Sequence, residues 1–107
     1  MKSHYELLYQ MSKEERDIGF RILENTRDMR ISHADKKTVE MEKKLLVELL
    51  LNFYETLAMF ANRSIIDDDI AKKFWKNNVS RMFKQYKKEI VPDYDQLIEL
   101  HKRWEKK

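Results

Sequence analysis

Leu45-Leu46-Val47-Glu48-Leu49-Leu50-Leu51-Asn52-Phe53-Tyr54-Glu55 is the stretch that decides the fold. At 100° per residue, Val39, Leu45, Leu46, Leu49, Leu50, Phe53, Tyr54, Leu57, Ala58 and Ala61 sweep out well over half of a helix running from about Thr38 to Asn62. A surface helix needs an apolar stripe of only about 100°. This one is therefore read as a central helix packed on several sides. Glu48 and Asn52 interrupt its most apolar window, which leaves that window short of a bilayer span.

Around this helix the sequence predicts others and no strand. A first helix is expected over about 3–10. Ser12-Lys13-Glu14-Glu15 then has the form of a capping box, opening a second helix over about 13–31. In that helix Ile18, Ile22 and Met29 share a stripe, with Phe20 and Leu23 on another side. Gly19 inside it suggests the close approach of a neighbouring helix. Ser32-His33-Ala34-Asp35 marks a break, and Arg63-Ser64-Ile65-Ile66-Asp67 the next. Asp67 is a good N-cap, with Asp68 and Asp69 in the first turn, where the helix dipole favours negative charge. The helix they open is expected over 68–88, with Phe74, Trp75, Val79, Met82, Phe83 and Tyr86 inward. Val91-Pro92-Asp93 ends it. A last helix over 94–104 has Leu97, Ile98, His101 and Trp104 on its inner side. The expected fold is all-α, a compact bundle of four to five helices forming one domain over 1–107. One glycine and one proline in the chain agree with few turns between long helices.

The composition narrows the function classes. Charged residues make up 38% of the chain, yet 42% is hydrophobic, enough apolar content for a folded core. The chain has no cysteine, which excludes disulfides, thiolate zinc sites and cysteine nucleophiles and fits a reducing compartment. Charge near the N-terminus takes the place of a signal peptide's apolar stretch. A cytoplasmic protein without membrane attachment is expected. His4, His33 and His101 fall in different elements without the i, i+4 spacing of a metal pair. The Asp67-Asp68-Asp69 run lacks the alternation and the glycine of a calcium loop. There is no Gly-rich phosphate loop and no nucleophile elbow. No catalytic residue, metal or cofactor is expected.

Two features remain as candidate sites. Residues 64–91 carry seven basic against four acidic side chains and hold the whole net charge of +3. Taking Lys72 as zero, Lys76, Lys87, Lys73, Lys84, Lys88 and Arg81 follow between about 40° and 180° around the helix axis. This is a basic face opposite the aromatic one, with Asn77 and Ser80 interleaved. An acidic protein surface, the phosphates of a nucleic acid and plain solvation all suit it. The second feature is Asn52 and Glu55, at i, i+3 on the most apolar helix. Either they form a solvated strip, or they are a buried polar pair, with Glu55 partnered by a basic side chain such as Arg63 or Arg81.

Leu51-Asn52-Phe53-Tyr54-Glu55, continued by Leu57-Ala58, Ser64-Ile65-Ile66-Asp67-Asp68-Asp69, an aromatic-rich helix, Tyr94 and Leu97 to Trp104, resembles an uncharacterised prokaryotic and phage family of small helical domains. That family belongs to the "domain of unknown function" class. Its pattern is an apolar helix bearing Asn-Phe-x-Glu, a glycine-then-acidic turn and a helix rich in Phe, Trp and Tyr. The likeness extends from about residue 14 to residue 104. Two departures stand out: many members carry an N-terminal membrane helix absent from this sequence, and Ser64 stands where the turn usually has glycine. The resemblance implies an all-α domain of bacterial or phage origin, with no reaction and no cofactor. Together with aromatic and Met side chains of the kind enriched at interfaces, it points to a protein-interaction module. Such a module would bind a protein partner or a second copy of itself, as a regulator or inhibitor in phage defence or counter-defence. Nucleic-acid binding through the basic face of helix 68–88 is the alternative.

Overall fold

The computed structural model describes residues 4–30 and 35–106, with side chains from Glu6 onward. His33 lies outside the described residues. The fold is all-α. Among the described residues there are four helices: α1 (His4–Met29), α2 (Lys36–Asn62), α3 (Asp68–Gln85) and α4 (Asp95–Glu105). The chain divides into two compact units, Met1–Leu50 and Leu51–Lys107, with α2 running through the boundary.

In the first unit, α1 is one continuous helix where two were expected. Leu8, Met11, Ile18 and Asn25 are buried, while Glu15, Ile22 and Met29 between and after them are half-buried. These positions step by three and four without a change of phase, so a single helix face carries them all. Ser12 therefore sits in mid-helix and opens nothing. Phe20 and Leu23 are exposed, so this helix is buried on one side only. Gly19 marks no close approach either, since a Cβ built on it would meet no atom within 4 Å.

The buried Asn25 amide donates to the Val39 carbonyl at 2.9 Å and to Glu42 Oε1 at 3.2 Å, tying α1 to the start of α2. Its own Oδ1 is buried with no hydrogen-bond partner among the described residues. Asp35 caps α2, accepting from the amides of Lys37 and Thr38 and from the Thr38 hydroxyl. Leu45 and Leu49, expected inside, are exposed, and Val47 is buried instead.

The second unit holds the rest of α2 with α3 and α4. Leu51, Phe53, Tyr54, Leu57, Ala58 and Ala61 of α2 are buried, as are Ala71, Trp75, Val79 and Met82 of α3 and Leu97, Leu100 and Trp104 of α4. Phe74 is exposed, contrary to expectation. In its 27-residue length and composition α2 is apolar enough to cross a membrane, a property missed when only its most apolar window is read. Half of that apolar stretch is buried inside the protein, as in a core helix.

A Schellman turn closes α2. The Ile65 amide donates to the Phe60 carbonyl at 2.8 Å and the Ser64 amide to the Ala61 carbonyl at 3.2 Å. Ser64 takes φ 58°, the left-handed value that glycine adopts without strain. Asp67 then caps α3 as expected, accepting from the Ile70 amide at 3.0 Å. The other end of α3 comes early, at Gln85 rather than residue 88. Tyr86 is its last inward side chain; Lys87, Lys88 and Glu89 are exposed and offer no apolar group to hold another turn.

Candidate functional site

On α3 the helical period places Lys73, Lys84, Asn77, Arg81 and Phe74 within about 100° of one another, on the side away from Trp75 and Met82. Phe74 is 59% exposed and its ring lies 5.6 Å from that of Trp75. A shallow open depression of about 630 Å³ covers this side and its flanks, lined by α3 residues alone: Lys73, Phe74, Asn77 and Arg81, with Asp69, Lys72 and Lys76 on one flank and Asn78 on the other. Arg81 donates to Asn78 Oδ1 at 2.7 Å, which fixes its guanidinium along the helix.

The seven cations predicted to share one face do not all do so. Lys87 and Lys88 lie in the turn beyond α3 and leave the helix face. Lys72 and Lys76 are half-buried, whereas Lys73, Arg81 and Lys84 are exposed. The half-buried edge of the face lies beside α4. There Glu105 accepts a hydrogen bond from the Ser80 hydroxyl. That bond holds its carboxyl below the usual range, helped against slight burial by the charges of His101, Lys76 and Lys84. His101, at 3.7 Å from Glu105, stacks on Phe83 with ring centroids 3.9 Å apart.

The Asn52 and Glu55 pair separates. Asn52 is exposed, and its side chain makes no hydrogen bond among the described residues; its backbone carbonyl accepts from the Thr56 hydroxyl. Glu55 is half-buried, and its partner is neither Arg63 nor Arg81. Its carboxylate accepts from the Leu97 amide at 2.7 Å and the Gln96 amide at 3.2 Å. These are first-turn amides of α4, whose own N-cap residue, Tyr94, makes no side-chain cap bond. A carboxylate from another helix thus closes this N-terminus. Burial pushes the Glu55 carboxyl up, with Asp95 adding to the rise, against the lowering by the two amides.

Residues that the sequence left unremarked complete the docking of α4. Asn62 donates to the Gln96 carbonyl at 3.0 Å and to Gln96 Oε1 at 3.1 Å. Arg103 bridges Asn62 Oδ1 at 2.7 Å and Asp68 Oδ2 at 2.6 Å. The buried Trp104 donates its indole N–H to Asp68 Oδ1 at 3.0 Å. Asp68 was read as a dipole partner within its own helix; its longer reach to α4 has no local signal. Burial raises the Asp68 carboxyl, but the bonds from Arg103 and Trp104 and the charges of Arg103 and Lys72 outweigh it, so it lies below the ordinary value. Among the described residues, no group of three His, Cys, Asp or Glu is placed to hold a metal ion.

A family model described as "Domain of unknown function (DUF4760)" matches residues 4–91, most of the chain. The chain belongs to DUF4760. No curated protein and no solved structure matches it. The DUF4760 match takes in α1, α2 and α3 and ends before Pro92, so α4 lies beyond it. The depression on α3 is therefore inside the DUF4760 region, while Gln96, Leu97, Arg103, Trp104 and Glu105 are outside it.

Proposed function

We propose that this DUF4760 chain is a non-enzymatic helical module that binds a protein partner through the outward side of α3, as a regulator of bacterial or phage origin. The observation that carries the reading is Phe74, a large aromatic side chain left 59% exposed on a face of α3 that also carries Lys73 and Arg81. Aromatic side chains are enriched at the centres of protein interfaces, and a rim of charge around one favours selective docking. The bacterial or phage setting rests on the family resemblance alone.

Photo-crosslinking tests the reading. A benzophenone amino acid replacing Asn77, irradiated in the cells that make the protein, is expected to give a few discrete protein adducts. The double charge reversal Lys73→Glu with Arg81→Glu should abolish them. Adducts that survive the reversal would tell against this side of α3.

A second reading, nucleic-acid binding, is favoured by the run of cations along the same side. It calls for affinity that falls steeply with salt, because neutralised phosphates release counterions. Fluorescent duplex and single-stranded probes that stay unbound at low salt would end it.

A further inference from the structure

The α3 face already holds one carboxylate. Glu105, the last residue of α4, takes the Ser80 hydroxyl hydrogen. Lys76 and Lys84, one helical turn before and after Ser80, add their charge to the same carboxylate. The contact shows the chemistry this face accepts: an anionic oxygen presented by a helix lying beside α3. Beyond that edge the depression on α3 takes in Lys73, Phe74 and Arg81, and among the described residues Asp69 is the only acidic side chain lining it.

From Asp69 to Arg81 the lining spans three turns of α3, about 18 Å at 1.5 Å per residue. A partner helix of similar length would present carboxylates and apolar groups at i, i+3, i+4 and i+7 along it. No sheet edge exists among the described residues for an extended peptide to join. A single exposed aromatic on α3, rather than a row of them, also fits one apolar anchor better than a series of stacked bases.

Building on the reading above, we propose that the occupant of this face is an acidic amphipathic helix of a partner protein. It lies along α3 with an apolar side chain on Phe74 and carboxylates over Lys73 and Arg81, while Glu105, bonded to Ser80, sets a negative charge at the edge of the same face.

The test uses the full chain and four fluorescent probes followed by anisotropy. The first is a peptide of about 18 residues with Glu and Leu at helical spacing, and the second has the same composition scrambled so that no apolar stripe forms. The third is the first peptide with Lys in place of Glu, and the fourth is a DNA duplex of about 20 base pairs. The patterned acidic peptide is expected to bind roughly tenfold more tightly than the scrambled one and to lose roughly tenfold on Phe74→Ala, as for an interface anchor. Because Phe74 is exposed, that variant should keep its circular dichroism and its urea midpoint. Glu105→Gln removes a negative charge from the edge of this face and should tighten the patterned peptide roughly twofold, a gain that loss of folding would not produce.

Equal binding of patterned and scrambled acidic peptides, unaffected by Phe74→Ala, would overturn the helical occupant while leaving an acidic partner standing. Tighter binding of the duplex than of any peptide would overturn both in favour of nucleic acid. Binding of the basic peptide, or of no probe, would overturn the acidic partner altogether.

Discussion

Glu55, two turns before the end of α2, accepts the backbone N–H of Leu97 at 2.7 Å and so closes the first turn of a helix about forty residues further along the chain. A helix N-terminus leaves amides without partners, and the carboxylate takes that of Leu97 and shares that of Gln96 with Asp95, while lying at the positive end of the dipole. Side-chain caps are normally supplied by the residue that opens the helix, yet Tyr94 supplies none here.

Removing that carboxylate should loosen α4. Glu55→Ala is expected to cost about 1–2 kcal/mol, the range of a lost N-cap with a charged acceptor. Glu55→Gln keeps one carbonyl oxygen for the Leu97 amide and should cost roughly half as much. Asn52→Ala, at an exposed position, should stay within about 0.5 kcal/mol of wild type. Urea melts decide the point: equal midpoints for Glu55→Ala and Asn52→Ala would remove the capping role.

Acid should act on α4 through Asp68. Its carboxyl lies below the ordinary 3.8 in the folded chain, so the unfolded chain binds the proton more readily. The stability it contributes is complete above the unfolded value and is lost as pH falls through the folded one, below about pH 4. Glu55 runs the other way. Its raised value gives a contribution complete below its unfolded value that declines as pH rises through the folded one. Chemical melts between pH 6 and pH 3, read by tryptophan fluorescence, should show a loss toward low pH that Asp68→Asn blunts and Glu55→Gln does not. An Asp68→Asn profile parallel to wild type would refute this assignment.

Gly19 offers a direct gain. It sits inside α1 with open space where a Cβ would stand and with no left-handed φ. Gly19→Ala should therefore stabilise the protein by about 0.5–1 kcal/mol by removing unfolded-chain entropy. A lowered thermal midpoint would mean that something packs against this position.

Ser64 is the converse case. Held at φ 58° at the end of α2, it carries the steric cost that a Cβ brings to the left-handed region. Ser64→Gly should raise stability by up to about 1 kcal/mol, and Ser64→Val, β-branched, should lower it by more than that. Thermal melts of the two variants read the difference directly; changes of the same sign in both would show that φ is not the controlling factor.

Much of the architecture is legible locally. The apolar sweep from Val39 to Ala61 specifies α2, and Asp67 before Asp68 and Asp69 specifies the start of α3, because caps and periodicity act within one or two turns. Even the union of the first two expected helices was written in the sequence, in the steps of three and four from Leu8 to Met29 that a capping-box reading of Ser12 obscured. The basic residues of α3 were legible as a set, and so was Glu55 as a residue requiring a partner. Which partner it takes was not. Backbone amides carry no sequence signature, so nothing near Gln96 or Leu97 announces that α2 will supply their cap. The same holds for Asp68 with Trp104, for Ser80 with Glu105, and for Phe74, which shares its helix with the buried Trp75 yet faces outward. Local chemistry sets where each helix begins and which faces can be buried. Only the packing of α4 beside α2 and α3 decides which polar groups pair, because those pairs join residues tens of positions apart that meet in space alone.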